Sequence, residues 1–150
     1  MREARQAILD LRSPMLDAGG LAGALTEIGR RTVVPPTRFE LSADRITAPP
    51  EAEGELLRIG QEAIANAARH AAATEIRVDL RQVSDVIRLR VTDDGRGFNV
   101  EATTTGDGGG RYGLLGMQER TARVGGRLTI TSSDRGTVVE ASVPCGRLRP

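Results

Sequence analysis

The sequence contains no lysine; all 21 of its basic side chains are arginine. This excludes the P-loop lysine, the protein-kinase strand lysine and any Schiff-base mechanism. There is a single histidine, His70, which excludes a two-histidine metal site and leaves little room for a nucleophilic triad. There is a single cysteine, Cys145, so neither an internal disulfide framework nor a cysteine-based zinc site is available, and we read it as a bystander near the C-terminus. Tryptophan is absent, and there are only one tyrosine and two phenylalanines. With 39% apolar residues the chain can still build a core, which must then be aliphatic. No apolar run approaches the length of a membrane span and no signal-peptide pattern opens the chain, so a cytoplasmic location is expected. A net charge of +1 offers no basic excess, and no nucleic-acid partner is expected. The length of 150 residues suits one ordinary domain.

What is present is organised around Leu56 to Ala72, LLRIGQEAIANAARHAA. Leu56, Leu57, Ala63, Ile64, Ala67, Ala68 and Ala71 recur at helical spacing on one side. Glu62, Asn66, Arg69 and His70 lie on the other, three or four residues apart, where side chains on a helix meet. A carboxylate, an amide, a guanidinium and an imidazole on one stripe could hold a metal and a polyphosphate; a solvated helix face is the equal alternative.

Upstream, Arg2 to Leu11 reads as the tail of a longer helix, punctuated by Ser13-Pro14. Leu21, Leu25 and Ile28 mark a second amphipathic helix closed by Gly29 and Arg30-Arg31. Thr37 to Leu41 is long enough for a short strand, and Pro49-Pro50 leads into the organising helix, with Glu51, Glu53 and Glu55 favouring its positive end. Beyond Ala73 the period changes to two. Ile76, Val78 and Leu80, then Ile87, Leu89 and Val91, alternate with charged residues around a Ser84-Asp85 turn. A second such pair runs through Leu128 and Ile130, then Val139, Ala141 and Val143, around Asp134-Arg135-Gly136. A sheet with one wet face needs a helical cover on the other, which predicts an α+β, two-layer α/β sandwich with a mixed, mainly antiparallel sheet. Between the hairpins, glycine-rich Thr103 to Gly110 enters a helix running from about Gly113 to Val124. Free N–H groups at such an entry suit an anion, although a segment of this kind alone is more often a mobile surface loop.

Glu62-x-x-x-Asn66, Asp93-x-Gly95-x-Gly97, Gly113-x-x-Gly116 and Gly136-Thr137 occur in this order. Each is weak alone; together, on these elements, they are specific. The chain resembles the GHKL, or Bergerat-fold, ATPases, and within them the catalytic ATP-binding domain of a bacterial sensor histidine kinase. Asn66 to Ala71 is similar to a histidine-kinase N-box. Leu11-Arg12-x-Pro14 with Gly20-Leu21-x-x-Ala24-Leu25, and Tyr112-Gly113-Leu114-x-Gly116-Met117-x-Glu119-Arg120, resemble the NarX/DesK-like subfamily. Residues 1–14 then correspond to the end of a dimerisation helix and its linker, and 15–150 to the catalytic domain.

The resemblance implies ATP and Mg²⁺ as cofactors, with Asn66, Arg69, His70, Asp93, Gly95, Gly97, Gly113, Leu114, Gly116, Met117 and Thr137 around the nucleotide. Ionised Asp93 offers only acceptors, which suits the exocyclic amine of adenine and would repel the carbonyl of guanine; a turn-forming Asp is its alternative. Gly95 and Gly97 let backbone approach the base, and Thr137 could complete its contacts directly or through water. Asn66 offers a hard oxygen to Mg²⁺, an ion that keeps several waters. Relatives often carry lysine where this chain has Arg69, and the change of geometry leaves its role open. Glu62 would be the catalytic carboxylate, positioning a water or an imidazole, unless an acid beside the phosphoacceptor serves as base. Gly106 to Gly110 would form a lid, with Arg111 at its end either on phosphate or in solvent. The implied activity is transfer of the ATP γ-phosphate to a histidine on dimerisation helices absent from this chain, then to a response regulator. The chain alone is expected to be monomeric, and the full-length protein a homodimer, with or without a membrane anchor. The alternatives are an anti-sigma-factor serine kinase of the same superfamily and an ATP-binding regulatory module without chemistry.

Overall fold

A computed structural model describes residues 19–70, 72–97 and 109–145. The Arg2 to Leu11 segment, most of the glycine-rich segment and Ala71 lie outside the described residues. Helix α1 spans Gly20–Thr32, strand β1 Arg38–Ala43, helix α2 Pro50–His70, strand β2 Glu75–Val83 and strand β3 Val86–Asp93. Helix α3 spans Gly109–Arg123, followed by strands β4 Arg127–Ser133 and β5 Gly136–Pro144.

The sheet has the order β1-β2-β3-β5-β4. Only β1 and β2 run parallel; the other three pairings are antiparallel. The parallel pair follows from connectivity: α2 carries the chain back across the sheet between them, as a parallel crossover requires. The mixed, mainly antiparallel sandwich expected from the change of period is therefore the architecture found.

Alternation decides which face is covered. Ile76, Val78 and Leu80 of β2, Ile87, Leu89 and Val91 of β3, and Val139, Ala141 and Val143 of β5 are buried beneath the helices. The opposite face carries charges that neutralise one another within and between strands. Glu140 receives Arg88 at 3.1 Å and Arg90 at 2.9 Å, and Arg81 reaches Asp44 and Asp79, both at 3.4 Å. Such exposed pairs contribute about 0–1 kcal/mol each, so this face sets register and solubility more than stability.

Helix α2 is central: it packs against both α1 and α3 and lies over the sheet. It begins six residues before the Leu56 expected from the apolar pattern, because Pro50 suits the first helical turn and Glu51 and Glu53 favour its positive end. Its inner stripe consists of Leu56, Leu57, Ile59, Gly60, Ala63, Ile64 and Ala67. Ala68, expected inside, is exposed, since it falls at the margin of this stripe. Leu21, Leu25 and Ile28 of α1 and Leu114 and Met117 of α3 complete one aliphatic core. Truncating a fully buried member such as Leu56 or Ile64 to alanine would cost about 2–5 kcal/mol. Polar links also join α2 to α3: the Glu55 carboxylate accepts from Arg120 at 3.4 Å and from Arg123 at 3.1 Å.

Candidate functional site

Two clusters of the expected residues form on this frame. The first lies where β3 leaves the sheet. In-phase with Ile87, Leu89 and Val91, Asp93 points towards the covered side and is 7% exposed. Its Oδ1 accepts the Gly95 N–H at 2.9 Å, and the Thr137 N–H also bonds to the carboxylate. Thr137 is its cross-strand partner on β5, so the sheet register itself delivers that donor. Burial pushes the Asp93 pKa up from its ordinary value; the two N–H groups pull it down, and the adjacent Asp94 charge adds to the rise. The net direction is upward.

Asp94 has the opposite fate. It faces outward, where its carboxylate accepts the Thr74 N–H at 2.8 Å, the Glu75 N–H at 3.0 Å and the Thr74 hydroxyl. The Thr74 hydroxyl holds its pKa below the ordinary value, against a smaller desolvation effect and with help from the backbone donors. Of two adjacent acids, one thus ties down the start of β2 and the other remains inside with acceptor capacity to spare.

The loop after Asp93 is pressed against the β4–β5 turn. Gly97 has φ +72°, and a Cβ there would strike the Ser133 carbonyl oxygen; Gly136 has φ +133°, and a Cβ there would strike the Asp93 carbonyl oxygen. Both positions need glycine for backbone conformation and for space. Gly95 is buried. The Thr137 hydroxyl pairs with Ser132 Oγ at 2.7 Å. Ser132 was not among the expected site residues. A two-residue turn at Asp134-Arg135 makes it the cross-strand partner of Thr137, so that position was available from the hairpin pattern.

The second cluster lies between α2 and α3. Glu62 and Asn66 are half-buried, and Gly113 of α3 lies directly over them. A Cβ on Gly113 would sit 2.5 Å from Glu62 Oε2 and 3.7 Å from Asn66 Nδ2. Arg69 is exposed and its Nη2 donates to Asn66 Oδ1 at 2.9 Å. Of the stripe expected on α2, Glu62, Asn66 and Arg69 lie on one side of the helix, and the alternative, a purely solvated face, fails for Glu62 and Asn66, which are half-buried next to α3. The side chains of His70, Arg111 and Tyr112 lie outside the described ones. Gly109 and Gly110, expected in a lid, are in the first turn of α3, which starts four residues earlier than the pattern suggested.

Three expected residues behave differently. Leu114 and Met117 are 2% and 1% exposed and belong to the core, so they anchor α3 rather than line an open surface. A Cβ on Gly116 would meet nothing within 4 Å, so no close approach in this structure requires glycine there.

The donor set suits a hard divalent ion shared with a ligand. Among the described residues no group of three or more His, Cys, Asp or Glu could hold a metal. Asn66 Oδ1 with the neighbouring Glu62 carboxylate offers oxygen donors only, the chemistry Mg²⁺ prefers when water and phosphate complete its shell. Among the described residues, no helix is long and apolar enough to cross a membrane.

The five-stranded sheet under three helices seen among the described residues is the fold of histidine kinase ATPase domains. It superimposes on the histidine kinase domain of the blue-light activated histidine kinase EL346 from Erythrobacter litoralis with a TM-score of 0.69 at 23% identity, covering 85% of this chain and 60% of that one. Residues 51–147 match the family described as Histidine kinase-, DNA gyrase B-, and HSP90-like ATPase, and the chain belongs to that family. It is 36% identical to the sensor histidine kinase MctS of Rhizobium johnstonii, over 100% of this chain and 33% of that protein. It is 33% identical to the sensor histidine kinase LiaS of Bacillus subtilis, over 95% of this chain and 39% of that protein. The chain thus spans between a third and two fifths of the length of these relatives.

Proposed function

We propose that this chain binds ATP with Mg²⁺ and transfers the γ-phosphate to a histidine on dimerisation helices outside the chain, for relay to an aspartate of a response regulator. The observation that carries the nucleotide assignment is the buried Asp93 carboxylate, held by two backbone N–H groups at a strand end. It has acceptor capacity left for one amine, which selects adenine over guanine. Gly95 would admit the base beside it, Gly97 lets the loop pack against the β4–β5 turn, and the Thr137 hydroxyl, ordered by Ser132, would add a second polar contact.

Asn66 would hold the metal through Oδ1, and Arg69 and His70, which follow it in the sequence motif, would contact phosphate oxygens. The metal, when bound, supplies charge neutralisation of the phosphates. Glu62, packed under Gly113, is placed to orient the attacking group or take its proton. Gly113 brings α3 close to these side chains, and Leu114 and Met117 fasten α3 to the core so that its first turn keeps that position. The catalytic contribution is positioning and electrostatics, as for phosphoryl transfer generally. The Leu11-Arg12-x-Pro14 and Tyr112-Gly113-Leu114-x-Gly116-Met117 motifs support a NarX/DesK-like arrangement, with residues 1–14 joining the dimerisation helices and the full-length protein a homodimer.

The test is incubation with γ-labelled ATP. This chain alone should bind ATP and acquire no acid-labile label. Supplied in trans with the histidine-bearing helices of its own full-length protein, it should label them, though weakly, because the tether that raises effective concentration is missing. Acid-labile label on this chain alone, lost in His70→Gln, would overturn the placement of the phosphoacceptor. Acid-stable label on a serine of a protein substrate would instead favour the anti-sigma-factor kinase reading.

A further inference from the structure

Helix α2 ends at His70 and strand β2 begins at Glu75, so a short exit segment joins them. Within it Ala72 has φ +54°, a left-handed conformation that a residue with a Cβ adopts only at a cost. Such a turn keeps its shape where its surroundings hold it. The Thr37 hydroxyl donates to the Ala73 carbonyl at 2.8 Å, and the Arg38 N–H donates to the Thr74 carbonyl at 2.9 Å. The third hold is Asp94. Its Oδ1 accepts the Thr74 N–H at 2.8 Å and the Glu75 N–H at 3.0 Å, and its Oδ2 accepts the Thr74 hydroxyl. Thr37 and Arg38 belong to the start of β1, at the edge of the sheet. Asp94 instead lies between Asp93 and Gly95, in the loop that carries the base contacts. Its carboxylate is therefore a direct tie between that loop and the exit from α2.

We propose that Asp94 is a positioning residue for the nucleotide: by clasping Thr74 and Glu75 it sets where the end of α2, with Asn66, lies relative to Asp93. This rests on the nucleotide reading given under Proposed function. Asp94 faces outward and would touch no ligand; it acts through the two segments it joins. ATP with its metal engages Asp93 and Asn66 together, so it needs both ends in place at once. Adenosine engages the base side alone. The clasp depends on acceptor geometry more than on charge. Both N–H groups meet one oxygen, and the other oxygen meets a hydroxyl, which can donate or accept. An asparagine with its oxygen towards the two N–H groups and its NH₂ towards the hydroxyl reproduces the pattern.

The experiment compares the dissociation constants of Mg²⁺-ATP and adenosine on the whole chain by chemical-shift titration. A variant that is merely less stable loses the same fraction of folded molecules for both ligands, so the ratio of the two constants is unaffected. In Asp94→Ala the preference for Mg²⁺-ATP over adenosine should fall roughly threefold to tenfold, because binding must then order the freed segment. Adenosine itself should bind nearly as before, since the N–H groups of Gly95 and Thr137 still hold Asp93. Asp94→Asn should restore the ratio to within about twofold of the unaltered chain. An unchanged ratio in Asp94→Ala overturns the proposal, as does a loss in Asp94→Asn equal to that in Asp94→Ala. If the unaltered chain binds neither ligand, the nucleotide reading falls with it. If both ligands bind the unaltered chain and only the Asp94 effect is missing, the nucleotide reading stands and this inference alone is refuted.

Discussion

Replacing Asp93 by asparagine separates the cost of this residue from its use. The carboxylate is 7% exposed and already accepts the N–H groups of Gly95 and Thr137. An ionised carboxylate has about four acceptor sites, so two occupied ones leave room for a ligand amine. In Asp93→Asn the amide oxygen can keep one of the two N–H bonds, but the NH₂ group must then face either the other N–H or the adenine amine. Either way a donor meets a donor. Losing a hydrogen bond to a charged group costs about 1.5–3 kcal/mol, which lowers ATP affinity roughly tenfold to a hundredfold. The buried charge acts on stability with the opposite sign. Because burial raises the Asp93 pKa in the fold, the folded state binds the extra proton over the window between the unfolded and folded values. Stability falls as pH rises through that window, and the ionised group is a cost to the nucleotide-free fold at neutral pH. The asparagine variant removes that charge but leaves one buried N–H without its acceptor, so the two effects oppose each other and its melting temperature without nucleotide should change little, while ATP binds more weakly. Isothermal calorimetry with Mg²⁺-ATP and thermal melting of the free domain give the two numbers. In the wild-type chain ATP affinity should also decline on acidification through the raised Asp93 pKa, a step the variant lacks. Unchanged ATP affinity in a folded Asp93→Asn domain would refute the reasoning.

Asn66→Ala should reduce Mg²⁺-ATP binding more than adenosine binding, since adenosine has no phosphates to recruit the ion; equal losses in calorimetry would make Asn66 a support of the fold instead. Gly136→Ala forces a side chain into φ +133° and against the Asp93 carbonyl oxygen, a backbone atom with no freedom to move aside. It should cost about 1–3 kcal/mol in denaturant unfolding and weaken ATP binding with it, and a variant of unchanged midpoint would contradict this geometry. Asp94→Ala removes the acceptor for Thr74 and Glu75 at an exposed site and should cost about 1 kcal/mol at neutral pH. Its pKa is lowered on folding, so this contribution is present above the ordinary carboxylate value of 3.8 and is lost as pH falls through the folded value. Parallel urea titrations at neutral and strongly acidic pH should show the gap between wild type and variant closing only in acid.

By itself the sequence determined the layer arrangement and the chemistry available. The switch from helical period at Ile64 and Ala67 to alternation at Ile76, Val78 and Leu80 marks where helix gives way to sheet, because each period buries one face only. The order of Glu62, Asn66, Asp93, Gly95, Gly97, Gly113 and Gly136 identified the family, and the inward phase of Asp93 after Leu89 and Val91 was already legible in the alternation. Tertiary structure decided the rest through contacts between residues distant along the chain. It gave Asp93 the Thr137 N–H and Asp94 the N–H groups of Thr74 and Glu75, so that two neighbouring acids acquired opposite pKa shifts. It laid Gly113 over Glu62, so that Glu62 and Asn66 are half-buried in a stripe that pattern alone could not tell from a solvated face. It drew Leu114 and Met117 into the core although they belong to a site motif, and tied Glu55 to Arg120 and Arg123 across some 65 residues. Local periodicity reports which face of an element is apolar; burial, partner donors and the steric need for a glycine arise only when a second element arrives to cover that face.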